Sequence, residues 1–131
     1  MRSGGANYRD EARLEHMFRA VRRIISHLDG LVRLDLREGD DRTEIILYNL
    51  LMIGEDANNV SAETCCIYPD VDFKGWAGLR HRLVHDYANI DFDIVWNALR
   101  DDLPQLVESL TRIVSSFPLQ DDLPSNIADF E

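Results

Sequence analysis

From Leu14 the apolar positions fall at Leu14, Phe18, Val21, Ile25, Leu28 and Val32, in alternating steps of four and three. That spacing predicts a helix with an apolar stripe. Met17, Ile24 and Leu31 run beside it, so the apolar face is broad and suits a helix packed on more than one neighbour. The pattern lasts to Glu38-Gly39-Asp40, where Gly39 suits a C-terminal stop. Asp41-Arg42-Thr43-Glu44 then reads as a capping box, with Asp41 as cap and Glu44 reaching back. A second helix follows through Ile46, Leu47, Leu50, Ile53, Ala57 and Val60, and Tyr68-Pro69 breaks the chain. A third begins near Phe73 or Lys74. Asn89-Ile90-Asp91 interrupts it, and Asp91 or Asp93 can cap a fourth. Asp102-Leu103-Pro104 reads as a further cap with proline in the first turn, opening a last helix through Leu106, Leu110, Ile113 and Val114. No segment alternates with period two and no repeat is present. The fold predicted is all-α, an up-and-down bundle of four to five helices.

Length and charge narrow the possibilities. A chain of 131 residues with 45% apolar residues suits one domain with one core. The expected division is a disordered segment over residues 1–9, a helical domain over 10–116, and an acidic, mobile tail over 117–131. No run of roughly 18 apolar residues exists, so no membrane span is expected, and the first residues lack the apolar stretch of a signal peptide. A cytoplasmic location follows as an expectation. Cys65 and Cys66 are adjacent, which suits two reduced thiols better than a strained vicinal disulfide. The net charge of −10 argues against nonspecific nucleic-acid binding, which runs on positive charge. The bases are unevenly placed, however. Thirteen of fourteen are arginine, eight of these within residues 1 to 37. A local basic site therefore remains open to RNA.

The most informative stretch is residues 80 to 87, Arg-His-Arg-Leu-Val-His-Asp-Tyr. Arginine is a fixed cation whose fork matches phosphate. Histidine takes and gives protons near neutral pH. Arg80 and His85 together are the minimum for chemistry at a phosphodiester without a metal. The residues alone leave open a solvated basic helix face instead. His81 and His85, four apart, could also chelate a metal, but a glutamate in a His-Glu-x-x-His pattern and a third ligand are both missing. No metal or cofactor is expected. His16 and His27 suit packing or surface better than chemistry. On a straight helix Trp76, Leu79, Leu83 and Tyr87 share one face, a core stripe with Val84 at its edge. Arg80 then sits about 140° from His85. The helix ends before His85, or the arginine wraps round, or a second subunit completes the pair.

The octet and its flanks resemble the HepT branch of the HEPN superfamily, the toxin of a toxin–antitoxin pair. The resemblance rests on Arg80-x-x-x-x-His85-x-Tyr87, on Ile53-Gly54-Glu55-Asp56-Ala57 upstream, and on the run from Tyr68-Pro69 through Gly78-Leu79-Arg80. It continues through Asn89-Ile90-Asp91, Val95-Trp96 and Asp101-Asp102-Leu103-Pro104, covering about residues 10 to 116. Two positions depart from the family pattern: Asp56 stands where a small residue is usual, and His81 where Asn is commonest. The resemblance implies an HEPN-like bundle that forms a homodimer with both motifs facing a shared cleft. It implies a type VII-like toxin–antitoxin system and a metal-independent endoribonuclease. The 2′-hydroxyl would attack the adjacent phosphorus and leave a 2′,3′-cyclic phosphate. Arg80 would hold the phosphate and His85 would move protons, with His81 and Arg82 orienting or attracting RNA. Tyr87 would accept AMP from a minimal nucleotidyltransferase antitoxin, which blocks the cleft. A second reading is a noncatalytic helical module that docks on such a nucleotidyltransferase or presents nucleotide to it.

Overall fold

A computed structural model describes residues 7–118. The expectations for the first six residues and for the acidic tail beyond residue 118 lie outside the described residues. Among those described, every regular element is helical, in the order α1 (Tyr8–Ile25), α2 (Asp41–Asn59), α3 (Ala62–Ile67), α4 (Phe73–His85), α5 (Phe92–Asn97) and α6 (Leu103–Ser115). Helix α1 thus takes in Tyr8 and Arg9, which the sequence reading leaves outside the domain.

Helix α1 opens on Asn7, whose side chain accepts from the Asp10 N–H at 2.9 Å. Leu14, Met17, Ala20, Val21 and Ile24 are buried on its inner face. It stops at Ile25, well short of the predicted Glu38. The reason is local. The Ser26 hydroxyl donates to the Arg23 carbonyl at 2.7 Å, and the His27 ring contacts the same oxygen at 2.8 Å. These side chains compete with the helix ladder. Gly30 then takes a positive φ of 71°, which a helix cannot use. Leu31 and Leu36 still reach the core from the loop, so the apolar pattern outlasts the helix. Val32 and Leu34 are left exposed.

Asp40, not Asp41, caps α2, accepting from the Thr43 N–H at 2.9 Å. Helix α3 is absent from the sequence reading because six residues are too short to show a period. Ser61 caps it. The Ser61 and Thr64 hydroxyls donate to Asp10 at 2.6 and 2.5 Å, which fastens α3 to the start of α1. Helix α4 begins where the sequence places it, with Asp72 accepting from the Gly75 N–H at 2.9 Å.

The predicted break at Asp102-Leu103-Pro104 is not a break. Asp102 makes no side-chain cap; residues Ala98–Asp102 form a π turn that carries α5 into α6. The Leu103 N–H bonds to the Ala98 carbonyl, five residues back. A proline inside an α-helix lacks a donor and crowds the carbonyl four residues earlier. The wider turn just before Pro104 accommodates both effects.

Helix α2 packs against α1 on one side and α4 on the other, and α1 also meets α6. Asp10 meets Ser61 while His16 meets Asp56, so α1 and α2 run antiparallel. The result is the expected all-α up-and-down bundle, with Leu50, Ile53, Trp76, Leu99 and Leu110 among its core residues. Among the described residues no helix is long and apolar enough to cross a membrane.

Candidate active site

The octet lies on the last turns of α4 and the short 3-10 turn after it, Tyr87–Asn89. Its position is set by one glycine. A Cβ added at Gly54 of α2 would fall 2.2 Å from the Arg80 Cβ and 2.8 Å from the Trp76 carbonyl oxygen. The absence of a side chain there lets α2 and α4 touch backbone to backbone. The next residue, Glu55, then meets Arg80, with its Oε2 2.8 Å from Arg80 Nη2. The Ile53-Gly54-Glu55 segment and Arg80 are therefore one physical unit, a close helix contact with a carboxylate aimed at the motif arginine. The spacing of the sequence alone does not show this role.

His81 and His85 stack on the outer face of α4, ring centroids 6.2 Å apart and planes 8° off parallel. Both are exposed, as is Arg82, which edges a shallow crevice with Asp86 and Asp91. Arg80 turns toward α2 while His85 turns toward His81, so the two are not joined within one chain. The helix runs through His85 before ending, which removes the first of the three resolutions given above. The arginine reaches Glu55 here rather than wrapping round toward His85.

Tyr87 corrects the core-stripe expectation. Trp76 and Leu83 are buried, but Tyr87 is 67% exposed and Val84 is exposed too. The stripe assumed a helix that continues; α4 stops two residues before the tyrosine. Tyr87 instead edges a cavity of about 240 Å³ together with Arg37, Thr43, Leu47, Asn89 and Phe92. A larger cavity of about 340 Å³ lies between α4 and the π turn, near Trp76 and Asp102, and none of the octet's residues lines it. Its size does not make it the site, because the chemistry-bearing side chains are elsewhere. Cys65 and Cys66 are free thiols. Among the described residues no group of three or more His, Cys, Asp or Glu side chains is placed to hold a metal ion.

Exposed apolar side chains flank the octet. Ile45 and Tyr48 on α2 and Val84 on α4 all stand in solvent, Tyr48 at 59%. Ile45, Tyr48 and Met52 follow at steps of three and four, one stripe on the outer face of α2.

Comparison with known proteins gives a consistent result. Residues 17–113 match the family described as Ribonuclease HepT-like. A protein of Methanocaldococcus jannaschii whose name marks it as a candidate RNase is 29% identical over 84 residues, covering 63% of this chain and 69% of its own. A similarly named protein of Caldanaerobacter subterraneus is 26% identical over 101 residues, covering 77% of this chain and 90% of its own. A Thermococcus cleftensis protein named "Probable ribonuclease HepT" is 26% identical over 68 residues, covering 51% of this chain and 62% of its own. No solved structure matches. With its octet, its Gly54 contact and a match across most of its helical bundle, the chain belongs to the HepT-like family of the HEPN superfamily.

Proposed function

We propose that this protein is the toxin of a toxin–antitoxin pair and a metal-independent endoribonuclease that acts as a homodimer. The observation that carries the reading is the divided motif: Arg80 turns to Glu55 of α2 and His85 stacks on His81, so one chain does not join them. Two copies joined through the exposed Ile45, Tyr48 and Val84 would bring the arginine of one near the histidine of the other. In such a cleft His85 takes the proton of the ribose 2′-hydroxyl, whose oxygen attacks the adjacent phosphorus. The bond from phosphorus to the 5′-oxygen breaks. That oxygen receives a proton from a second imidazole, and a 2′,3′-cyclic phosphate remains. Arg80 balances the charge that gathers on the phosphate oxygens. His81 and Arg82 orient the strand.

Control falls on Tyr87. Its exposed ring offers its hydroxyl to a nucleotidyltransferase antitoxin, which transfers AMP from ATP and releases pyrophosphate. Each added nucleotide brings about one negative charge beside the octet's cations, where an RNA phosphate would otherwise sit. The hold of Glu55 on Arg80 supports the second reading, a noncatalytic module that docks on the nucleotidyltransferase, because a paired arginine is less free to bind phosphate.

The deciding experiment is RNA cleavage in EDTA by the parent, Arg80→Ala and His85→Ala, each checked for helicity. Cleavage by the parent alone supports the enzyme. If His85→Ala cuts as well as the parent, the mechanism is wrong and the docking module stands. Sedimentation of the parent at micromolar concentration tests the dimer, which a monomer of about 15 kDa would contradict.

A further inference from the structure

Most described arginines of this acidic protein hold a carboxylate within 4.0 Å: Arg13, Arg33, Arg37, Arg42, Arg80, Arg100 and Arg112. The exceptions are Arg82 in the octet and Arg9, Arg19, Arg22 and Arg23, all on α1 and all exposed. The Arg22 guanidinium lies 5.7 Å over the Phe18 ring. Besides Lys74 at the start of α4, a chain of net charge −10 thus leaves cations without a carboxylate partner in two places among the described residues.

Those two places share a side of the molecule. Arg9, His16 and Arg23 are spaced by seven along α1, so they fall on one face, with Arg19 beside them. His16 pairs with Asp56, which fixes that face as the edge of α1 nearest α2. The preceding residue of α2, Glu55, pairs with Arg80 of α4. Neighbouring residues of one helix therefore tie the arginine face to the left and the octet to the right. Between them runs the outer face of α2 with Ile45, Tyr48 and Met52, the contact proposed above for a second copy, which therefore borders both places. Two helix spacings separate the faces, about 16–20 Å.

We infer that Arg9, Arg19 and Arg23 form a second phosphate-binding track, which holds single-stranded RNA as it leaves the octet's cleft. This deepens the ribonuclease reading and rests on it. The chemistry favours a polyanion over a protein. Arg9 and Arg23 span about 21 Å of helix, a line of charge rather than a spot. Between them the face carries Ala12 and half-buried Glu15, with no large exposed apolar side chain. Protein interfaces have an apolar core and shed charge from it. The phosphate backbone asks for cations alone, and each guanidinium fork suits its oxygens.

The test uses the full chain with His85→Ala, so that RNA is bound but not cut. Affinity for a single-stranded RNA of about 20 nucleotides is measured across salt concentrations, with and without Arg19→Ala/Arg23→Ala. Losing two phosphate contacts should weaken binding about tenfold at low salt and lower the log–log salt slope by about 1.4. Arg100→Ala/Arg112→Ala removes the same charge from arginines already paired with aspartates, and should leave the slope unchanged. Equal loss in both double variants would overturn the track, since net charge alone would then explain it. So would an unchanged slope, including the case where the α1 variant loses binding to the antitoxin instead. The parent's own cleavage of RNA is assayed in parallel. If the parent does not cut, the ribonuclease reading has failed; if it cuts and the slope is unchanged, only the track has failed.

Discussion

Glu55 and Asp56 are neighbours on α2, and each meets a basic side chain from a different helix, yet the two seams they mark behave differently. On the α1 side Asp56 is 14% exposed and meets His16. Burial pushes its carboxyl above the ordinary value, and the hydrogen bond and charge of His16 offset only part of that. On the α4 side Glu55 is 43% exposed and meets Arg80. The first seam carries its charge at a cost in desolvation; the second presents its charge to solvent. Just beyond the end of α2, α1 is tied to α3 by Asp10, which burial raises but which the Ser61 and Thr64 hydrogen bonds and Arg13 bring below its usual value. The α2–α4 seam is closed by a missing side chain at Gly54. One side of α2 is thus fastened by polar bonds and the other by close backbone contact. The second leaves its surface free for a substrate.

The largest effect should come from filling the α2–α4 seam. Gly54→Ala puts a methyl group into the Arg80 Cβ and the Trp76 carbonyl, neither of them the loose end of a flexible chain. Overpacking of this kind costs about 1–3 kcal/mol and occasionally more, and an approach of 2.2 Å to the Arg80 Cβ puts this case at the top of that range or above it. It also moves Arg80, so RNA cleavage should fall with stability. Thermal unfolding and cleavage are the measurements, and wild-type values for both would mean that the seam is looser than the contact implies.

Breaking the polar seam comes next. Asp10→Asn puts an amide where two hydroxyls and an N–H donate to a carboxylate. The loss should be about 1.5–3 kcal/mol at neutral pH. The Asp10 carboxyl is held below its unfolded value, so its contribution is fully present above about pH 4 and disappears as pH falls through the folded value. Parent and variant should therefore converge in acid. A gap that stays constant down to about pH 2 would show that packing, not ionisation, sets it.

Asp56→Ala should act with the opposite sign. This carboxyl is raised on folding, so it favours the native state below about pH 4 and costs stability once ionised. Relative to the parent, the alanine variant should gain stability as pH rises from about 4 to 7. Denaturant unfolding across that range reads it. A loss at pH 7 would mean that the His16 pair outweighs desolvation and that the departure from the family's small residue is a staple.

What the sequence made legible divides along the same line. Helix class, the start of α4 and the octet could be read because they depend on local periodicity and side-chain chemistry. The end of α1 was missed because Leu28 and Leu31 keep the stripe going after Ser26 and His27 have already claimed the Arg23 carbonyl. Tyr87 was placed in the core because periodicity carries no notice that a helix has stopped. Pro104 marked an anomaly but not its form, since a break and a π turn satisfy the same missing donor. The Gly54 contact involves residues more than twenty apart, and no spacing rule reaches it.

The smallest effect on stability falls on the pair that the site reading depends on. Glu55→Gln removes a charge from an exposed ion pair, and such pairs contribute about 0–1 kcal/mol. Melting should scarcely move. Activity separates the two roles open to Glu55. If the carboxylate only aims the guanidinium, the glutamine amide oxygen still accepts from Arg80, and cleavage persists with KM and kcat little changed. If it competes with RNA phosphate for Arg80, the neutral variant binds more tightly, KM falls, and the gain is largest at low salt, where phosphate contacts are strongest. A fall in kcat at unchanged KM would point to a third case, in which Glu55 is needed to hold Arg80 against the transition state. The salt dependence distinguishes the second from the others, because aiming through one short hydrogen bond is screened far less than competition for a polyanion.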